Sequence, residues 1–480
     1  MQSGTARINC VEGNFTRPNE RHAALNRFAG PNVSREVTSR SKVADHPTAE
    51  PQSGGPMEQR DRVGTGGRIS CLPHMQASSA RPLRVLVVGA GVSGISVARG
   101  LLRDGHEVTI FDQRANTQAG GGAVTIWSNG ETVLRQLGVD MGGAGQLLSS
   151  VRVRTSTGRR IATVDVSALA RRLGASVRMV PRQVLLERLM DGFPGDVIRC
   201  NARATRVVTM PDGVAVGFDD GSVVEGDLLI GADGLHSVIR DVVGAPAAEA
   251  TGWCSWQGLV SVPELGDRDV AYIVIGERGN SGVWPAGDDK VQWWFDLPWA
   301  HDFVRPERPI EVIRSTFSGW SDSVDLVLDK LTDADLARSP YPHFRHPVPG
   351  ALNAGPVTLL GDAAHTMPPT LAQGTNQALL DTMVLCASLA DLRADSGRTA
   401  LSRALRTYEK TRRRQVRAVS KAASLQVAHG ESVLRPAALL PDRLHTWVLT
   451  RFVRSTSHPG IAAQVNRDLA VARPVASGRR

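Results

Sequence analysis

Cysteine is sparse in this chain of 480 residues, and the five present, Cys10, Cys71, Cys200, Cys254 and Cys386, stand far apart. No Cys-x-x-Cys pair occurs, so neither a zinc site nor a disulfide framework is indicated, and the usage fits a reducing cytoplasm. Also absent is any run of eighteen or more apolar residues, so no membrane-crossing helix is expected. Residues 1–80 lack sustained apolar periodicity and are rich in Arg, Ser, Gly, Pro and Asn, which predicts a disordered N-terminal extension. They hold no apolar core of a secretory signal, and Glu12, Glu20, Glu36, Asp45, Glu50, Glu58 and Asp61 are too many acids for a transit peptide. Met75 precedes the first strand, so a start site assigned too early is one expected origin of the extension. No internal repeat of fixed period occurs.

The formal charge is +9. The basic residues are mostly arginines scattered along the chain, which argues against nucleic-acid binding. The densest run, Arg412, Arg413, Arg414 and Arg417, follows Glu409 in a helical pattern and reads as a helix face able to draw in phosphorylated cosubstrates such as NADPH. The length calls for two packed domains plus tails.

Order begins at Arg84. Val85, Leu86, Val87 and Val88 form a continuous apolar run of the kind that makes a buried parallel strand. A helix is predicted over about 93–104, closed by Gly105, and a second strand over Val108, Thr109, Ile110 and Phe111. Between first strand and helix stands Gly89-Ala90-Gly91-Val92-Ser93-Gly94. Gly89 permits the turn, Gly91 lets backbone approach a pyrophosphate, and Gly94 lets helix pack on strand. The helix N-terminus then offers free N–H groups to the anion. Asp112, eighteen residues past Gly94, ends the second strand, where a carboxylate can accept from a ribose diol. That acid favours an unphosphorylated ribose, either of NAD or of the AMP half of FAD; this motif alone leaves both open.

Two further motifs follow. An apolar strand, Asp227 to Ile230, runs into Gly231-Ala232-Asp233-Gly234 and then a helix. Another strand, from Val357, ends in Gly361-Asp362 and continues through Pro368, Pro369, Gln373, Gly374 and Asn376 into a helix. With these three motifs in order, residues 83–430 resemble the flavoprotein aromatic hydroxylases, the family of para-hydroxybenzoate hydroxylase. The resemblance implies an α/β fold: a Rossmann-like FAD-binding domain interleaved with a mixed β-sheet substrate domain, and C-terminal helices. The FAD domain is expected over 81–180, 181–250 and 350–430, the substrate domain over 251–349 with part of 150–180, and a helical tail over 431–480, frayed after Pro474.

The resemblance also implies roles. Asp112, with Gln113 and Arg114 beside it, would bind the adenosine ribose of FAD, while Gly89, Gly91, Val92, Ser93 and Gly94 would carry its pyrophosphate. Arg182 would lie along the pyrophosphate and ribityl chain, Asp233 would serve FAD and NAD(P)H, and Asp362 would bond the ribityl hydroxyls. The loop through Pro369, Gly374 and Asn376 would lie along the isoalloxazine, with the following helix N-terminus near its pyrimidine edge. No second Gly-x-Gly-x-x-Gly follows a strand, which fits a family whose nicotinamide cosubstrate binds transiently. Two positions depart from the family pattern: Ala372 replaces the first glycine of a Gly-x-Gly, and Leu380 precedes Asp381 where Glu-Asp is common.

The implied activity is a monooxygenase that uses NAD(P)H and O2 through a flavin C4a-hydroperoxide, in a cavity kept dry by apolar walls. Trp253, Trp256, Trp284, Trp293, Trp294 and Phe295 concentrate in the β-rich middle, where they read mainly as packing, with one or two facing ligand. His236, His343, His346 and His365 are candidate bases, none of which the sequence assigns. Trp256-Gln257-Gly258-Leu259, with Gln257 where many relatives carry arginine, looks like the urate-hydroxylase and epoxidase branch; Pro368, where urate would call for a polar residue, points instead to a larger apolar or polycyclic substrate. A non-oxygenating flavin oxidoreductase and an FAD-binding, ligand-handling protein remain as alternatives.

Overall fold

The structure is a computed structural model that describes residues 81–117, 120, 122–300 and 302–457, without the side chains of 426–436. The expected N-terminal extension up to residue 80, and the fraying after Pro474, lie outside the described residues. Within them, the chain builds two large sheets.

The first is six-stranded. Its order is Asn353–Ala354, Val357–Leu359, Leu228–Gly231, Arg84–Val88, Glu107–Phe111 and Ile198–Arg199. All neighbours are parallel except the short hairpin formed by the first two. Val85, Val87, Leu228, Leu229, Ile230, Val357 and Leu359 are buried, as strands covered on both faces must be. The strands that end in the three sequence motifs are adjacent, so Gly89, Ala232 and Gly361 emerge at the same carboxyl edge, where open α/β sheets bind ligands. Helices Val92–Arg103 and Gly374–Leu389 pack against each other across one face, with Ile95, Leu101, Leu379, Leu385 and Leu389 in a common core.

The second sheet has seven strands, in the order Tyr341–Arg345, Glu249–Ser261, Lys290–Pro298, Gly279–Gly287, Val270–Gly276, Ser150–Thr155 and Arg160–Asp165. The sheet is mixed, as the resemblance implies: the pair Val270–Gly276 with Ser150–Thr155 is parallel and the other pairs are antiparallel. Parallel neighbours need a long crossover, and the chain between Thr155 and Val270, most of it outside this sheet, supplies it.

The two faces of this sheet differ, because successive side chains alternate. Trp256, Trp293 and Phe295 lie in a core with Ile313, Phe317, Val324 and Val327 of helices Pro309–Phe317 and Asp322–Lys330. Trp284 and Trp294 belong to the opposite face, clustered with Trp127 and Ala123. After the third motif come two helices, Gly374–Leu389 and Gly397–Leu434, separated by residues 390–396. A final helix, Asp442–Ser455, packs on the strand Arg160–Asp165. Among the described residues, no helix is long and apolar enough to cross a membrane.

Candidate cofactor and active site

At the first motif the backbone does what the glycine spacing demands. Gly89 has φ +106° and donates its N–H to the carbonyl of Phe111 at 2.7 Å. A Cβ on Gly94 would stand 1.8 Å from the Gly89 carbonyl oxygen, so helix and turn touch. A Cβ on Gly91 would meet nothing within 4 Å. The helix that starts at Val92 has no side-chain cap and no acid in its first turn. Its free N–H groups, with Val92 and Ser93 in the opening turn, therefore face open space suited to a pyrophosphate.

Asp112 is buried at the end of the second strand. Its carboxylate accepts from Ala90 N at 2.7 Å, from Arg114 N and Nε at 2.8 Å each, and from Arg114 Nη2 at 3.0 Å. Burial pushes its pKa up, but the bonds from Arg114 and Ala90 outweigh this and hold it below the usual range. Every acceptor direction of the carboxylate is thus filled from within the chain, so a ribose diol would take over positions that the Arg114 guanidinium occupies. Gln113 is exposed beside it.

In the second motif, Asp233 turns its carboxylate back on its own loop. Oδ2 accepts from Val238 N at 2.8 Å and Ile239 N at 3.3 Å, while Oδ1 is buried with no partner. Burial raises its pKa. One oxygen holds the loop and the other is left for a ligand donor.

The third motif is fixed by a buried triad that the sequence did not disclose. Gly361 has φ +60°, and its N–H donates to Asp381 Oδ2 at 3.0 Å. The same oxygen lies 2.6 Å from His365 Nε2, and Oδ1 accepts from Arg412 Nε at 2.6 Å. Arg412 Nη2 also reaches Gln377 Oε1 at 2.8 Å. Burial alone would raise the Asp381 pKa, but the charge of His365 and Arg412 and their hydrogen bonds bring it down to about 2. With its turn held from behind, Asp362 is exposed, and its carboxylate has no hydrogen bond to the described residues. Arg412, read as part of a solvated basic face, is in fact fully buried, because Asp381 on the neighbouring helix needs a counter-charge.

Arg182 opens the helix Arg182–Met190, exposed and with no side-chain partner among the described residues. Pro369 is exposed at the start of a 3-10 turn that ends in Ala372, which sits at φ +48°, ψ +37°. Ala372 therefore takes up the left-handed conformation that glycine supplies more readily. Gly374 begins the next helix, which also lacks a side-chain cap and an acid in its first turn, and its Cβ position is open. Asn376 is fully buried: Oδ1 accepts from Trp127 N, and Nδ2 donates to Thr125 O and Ala372 O, all at 2.9 Å. Its amide is consumed in tying this loop to the strand Ala123–Ile126, so it shapes the cradle from behind.

Two uncapped helix N-termini, two open glycine positions, the unpaired buried Oδ1 of Asp233 and the exposed Asp362 and Arg182 form a donor and acceptor set that fits FAD. Above it lies the second sheet. Gln292 Oε1 accepts from Ala123 N at 2.5 Å, so the Trp284 and Trp294 face is turned toward the cradle. Registered pairing puts Ser255, Gln257 and Leu259 on this face with Asp296, Trp294 and Gln292. Ser255 Oγ bonds Asp296 Oδ1 and lies 2.7 Å from His343 Nε2. Burial raises Asp296 to about 7 and lowers His343 to about 4. Of the other histidines, His236 is exposed with its ring 6.4 Å from that of Phe344, and His365 holds Asp381. Ser255 and Asp296 carried no sequence signal; only strand register brings them together. No group of residues suited to a metal ion occurs among the described residues.

Comparison with known proteins agrees with this geometry. Residues 82–423 match a family model described as an FAD binding domain. An FAD-dependent urate hydroxylase of Klebsiella oxytoca is 31% identical over 362 residues, covering 73% of this chain and 92% of the relative. The 3-amino-4-hydroxybenzoate 2-monooxygenase PtnB3 of Streptomyces platensis is 31% identical over 364 residues, covering 72% and 87%. Klebsiella pneumoniae HpxO, solved in complex with FAD and uric acid, superposes with a TM-score of 0.69 at 26% identity, covering 78% of this chain and 97% of that one. With its three motif turns gathered at one sheet edge, the chain belongs to the FAD-dependent aromatic hydroxylase and monooxygenase family and is an FAD-dependent oxidoreductase.

Proposed function

We propose that this enzyme is a monooxygenase that takes electrons from NAD(P)H and places one atom of O2 on an aromatic or polycyclic small molecule, such as a natural-product intermediate, releasing the other as water. The observation that carries this reading is the FAD cradle lying beneath a sheet face of mixed character, where the indoles of Trp284 and Trp294 stand beside the amides of Gln257 and Gln292. Bound FAD would supply hydride acceptance and oxygen activation.

The chain's own residues do the positioning. The Val92 helix N-terminus and Arg182 meet the pyrophosphate, Asp112 and Arg114 the adenosine ribose, Asp233 the cofactor edge, and Asp362 the ribityl chain. The Gly374 helix N-terminus favours negative charge on the ring system. Trp284 and Trp294 exclude water and offer flat apolar surface to a ring. Gln257, half-buried on this face, brings a neutral polar group, which suits an uncharged or weakly polar substrate better than an anion. The relatives named for urate and for an aminohydroxybenzoate support an aromatic substrate class; Pro368 and the tryptophans support a larger, less polar member of it. A reducing cytoplasm is the compartment this chemistry takes.

The test is NADH and NADPH oxidation by FAD-loaded protein in an oxygen electrode, with a panel of phenols, polycyclic ketones and purines. Substrate-stimulated consumption, with product heavier by one oxygen atom, is expected. A protein whose flavin stays oxidised with both nucleotides and every compound would overturn the reading.

A further inference from the structure

The basic run of the long helix Gly397–Leu434 divides by what each cation touches. Arg412 is buried on Asp381, and Arg413 pairs with Glu409 at 3.1 Å. Arg417 and Lys421 stand four residues apart, on one helix face, exposed and without an ion pair among the described residues. Together they form one wall of a groove with a volume of about 570 Å3, within the usual range for small-molecule sites. The facing wall is the segment that follows the strand Tyr341–Arg345. There Arg345 is offset by Glu249 at 2.8 Å, so the uncompensated charge belongs to Arg417 and Lys421. Val348 and Leu425 give the groove an apolar side.

A buried histidine also lines the groove. His346 is 1% exposed, and its Nδ1 accepts the Thr366 N–H at 3.2 Å. The Thr366 N–H is shared with Asp362 O at 3.3 Å, a carbonyl that the His346 ring also meets, and the other ring nitrogen, Nε2, is buried with no partner among the described residues. His346 is in turn coupled to the cofactor loop: its backbone N–H donates to Thr366 O at 2.9 Å, and Thr366 leads directly into residues 368–376.

We propose that this groove binds the phosphate-bearing part of a small molecule, and that this molecule is the nicotinamide cosubstrate. The second half rests on the NAD(P)H reading above. Arg417 is suited to bidentate phosphate contact, Lys421 adds a mobile point charge, and Val348 and Leu425 cover an adenosine face.

The experiment uses the full-length, FAD-loaded protein. Binding of 2′,5′-ADP and of inorganic pyrophosphate is measured by calorimetry for the parent and for the pair Arg417→Ala with Lys421→Ala. The double variant is expected to bind both probes at least about tenfold more weakly, with FAD content unchanged. The KM for NADPH is expected to rise in parallel in the double variant while kcat holds. Probe affinities equal to the parent's in the double variant would overturn the groove. Weakened pyrophosphate binding with an unmoved NADPH KM would support the phosphate site and overturn the cosubstrate assignment. Absence of any NAD(P)H oxidation would defeat the monooxygenase reading, while the calorimetry would still decide the groove.

Discussion

Arg412 and Asp381 meet at 2.6 Å with both side chains fully withdrawn from water. The pair binds the helix Gly374–Leu389 to the long helix Gly397–Leu434, and through Asp381 Oδ2 it fixes the N–H of Gly361 and the ring of His365. Arg412→Ala leaves a buried carboxylate with one of its two counter-charges gone, a change that costs about 3–5 kcal/mol. The variant is expected to unfold at clearly lower denaturant and to lose FAD, since the Gly361 turn slackens. Asp381→Asn together with Arg412→Ala should cost less than the two singles added, because they share one interaction; additive losses would show that the pair does not act as a unit. The linkage has a defined sign. Asp381 sits at about 2 when folded against an ordinary 3.8, so its stabilisation is complete above pH 4 and is lost as pH falls toward 2. Acid unfolding curves of parent and Asp381→Asn should diverge in that window.

Gly91 and Gly94 are three residues apart and respond to different demands. A methyl group on Gly94 collides with the Gly89 carbonyl oxygen at 1.8 Å, whereas one on Gly91 meets only open space. Gly94→Ala is expected to destabilise the apoprotein, as overpacking does by about 1–3 kcal/mol. Gly91→Ala is expected to leave the apoprotein's unfolding midpoint within roughly 0.5 kcal/mol and to weaken FAD, because the methyl group occupies the pyrophosphate's place. Paired thermal melts and flavin titrations separate the two. An apoprotein destabilised by Gly91→Ala, or a Gly91→Ala variant with undiminished FAD affinity, would contradict the open cradle.

How far these features were legible depends on the range of the interactions behind them. The strand, Gly-x-Gly-x-x-Gly and helix at residues 85–103 follow from local rules of period, turn and cap, and the structure places them as read. Asp112 and Asp362 were legible as site candidates for the same reason. The role of Asp381 was not, since its partners His365 and Arg412 lie 16 and 31 residues away. Charge on a helical pattern reads as solvated unless the facing element is known. Ser255, Asp296 and His343 come from three strands and meet only through register, which no local signal encodes. Asn376 was legible as a motif residue, yet its amide turned out to serve the backbone of Trp127, Thr125 and Ala372 rather than the open side of the cradle.

Asp362 offers an exposed carboxylate with no protein partner, at the turn that Asp381 holds rigid. If it accepts from ribityl hydroxyls, Asp362→Ala removes charge-assisted bonds worth about 1.5–3 kcal/mol, so FAD should bind about 10- to 100-fold more weakly. Flavin fluorescence on dilution measures the loss. Unfolding of the apoprotein should be unchanged, since nothing in the described chain leans on this side chain. Full flavin occupancy in the variant would remove Asp362 from the site.

Asp296 lies on the sheet face turned toward the cradle, bonded to Ser255 and beside His343. Burial raises its carboxyl from 3.8 to about 7, and the same burial holds His343 neutral at about 4. Between those two values for Asp296 the folded protein keeps a proton that the unfolded chain releases. Stability from this group is therefore full below pH 4 and declines as pH rises through 7, the reverse of Asp381. Asp296→Asn has nothing to titrate and keeps a group that can bond Ser255. Relative to the parent, the variant should be the more stable protein at pH 8, and the gap should close toward pH 4. Melting temperatures across that range read the difference directly. A variant less stable than the parent at pH 8 would mean that Asp296 is ionised in the fold, with Ser255 and a protonated His343 compensating its charge. The same neutral carboxyl at pH 6 would be a proton donor beside the aromatic face, and its ionisation near pH 7 should then appear as a break in the rate of substrate-stimulated oxidation that Asp296→Asn abolishes.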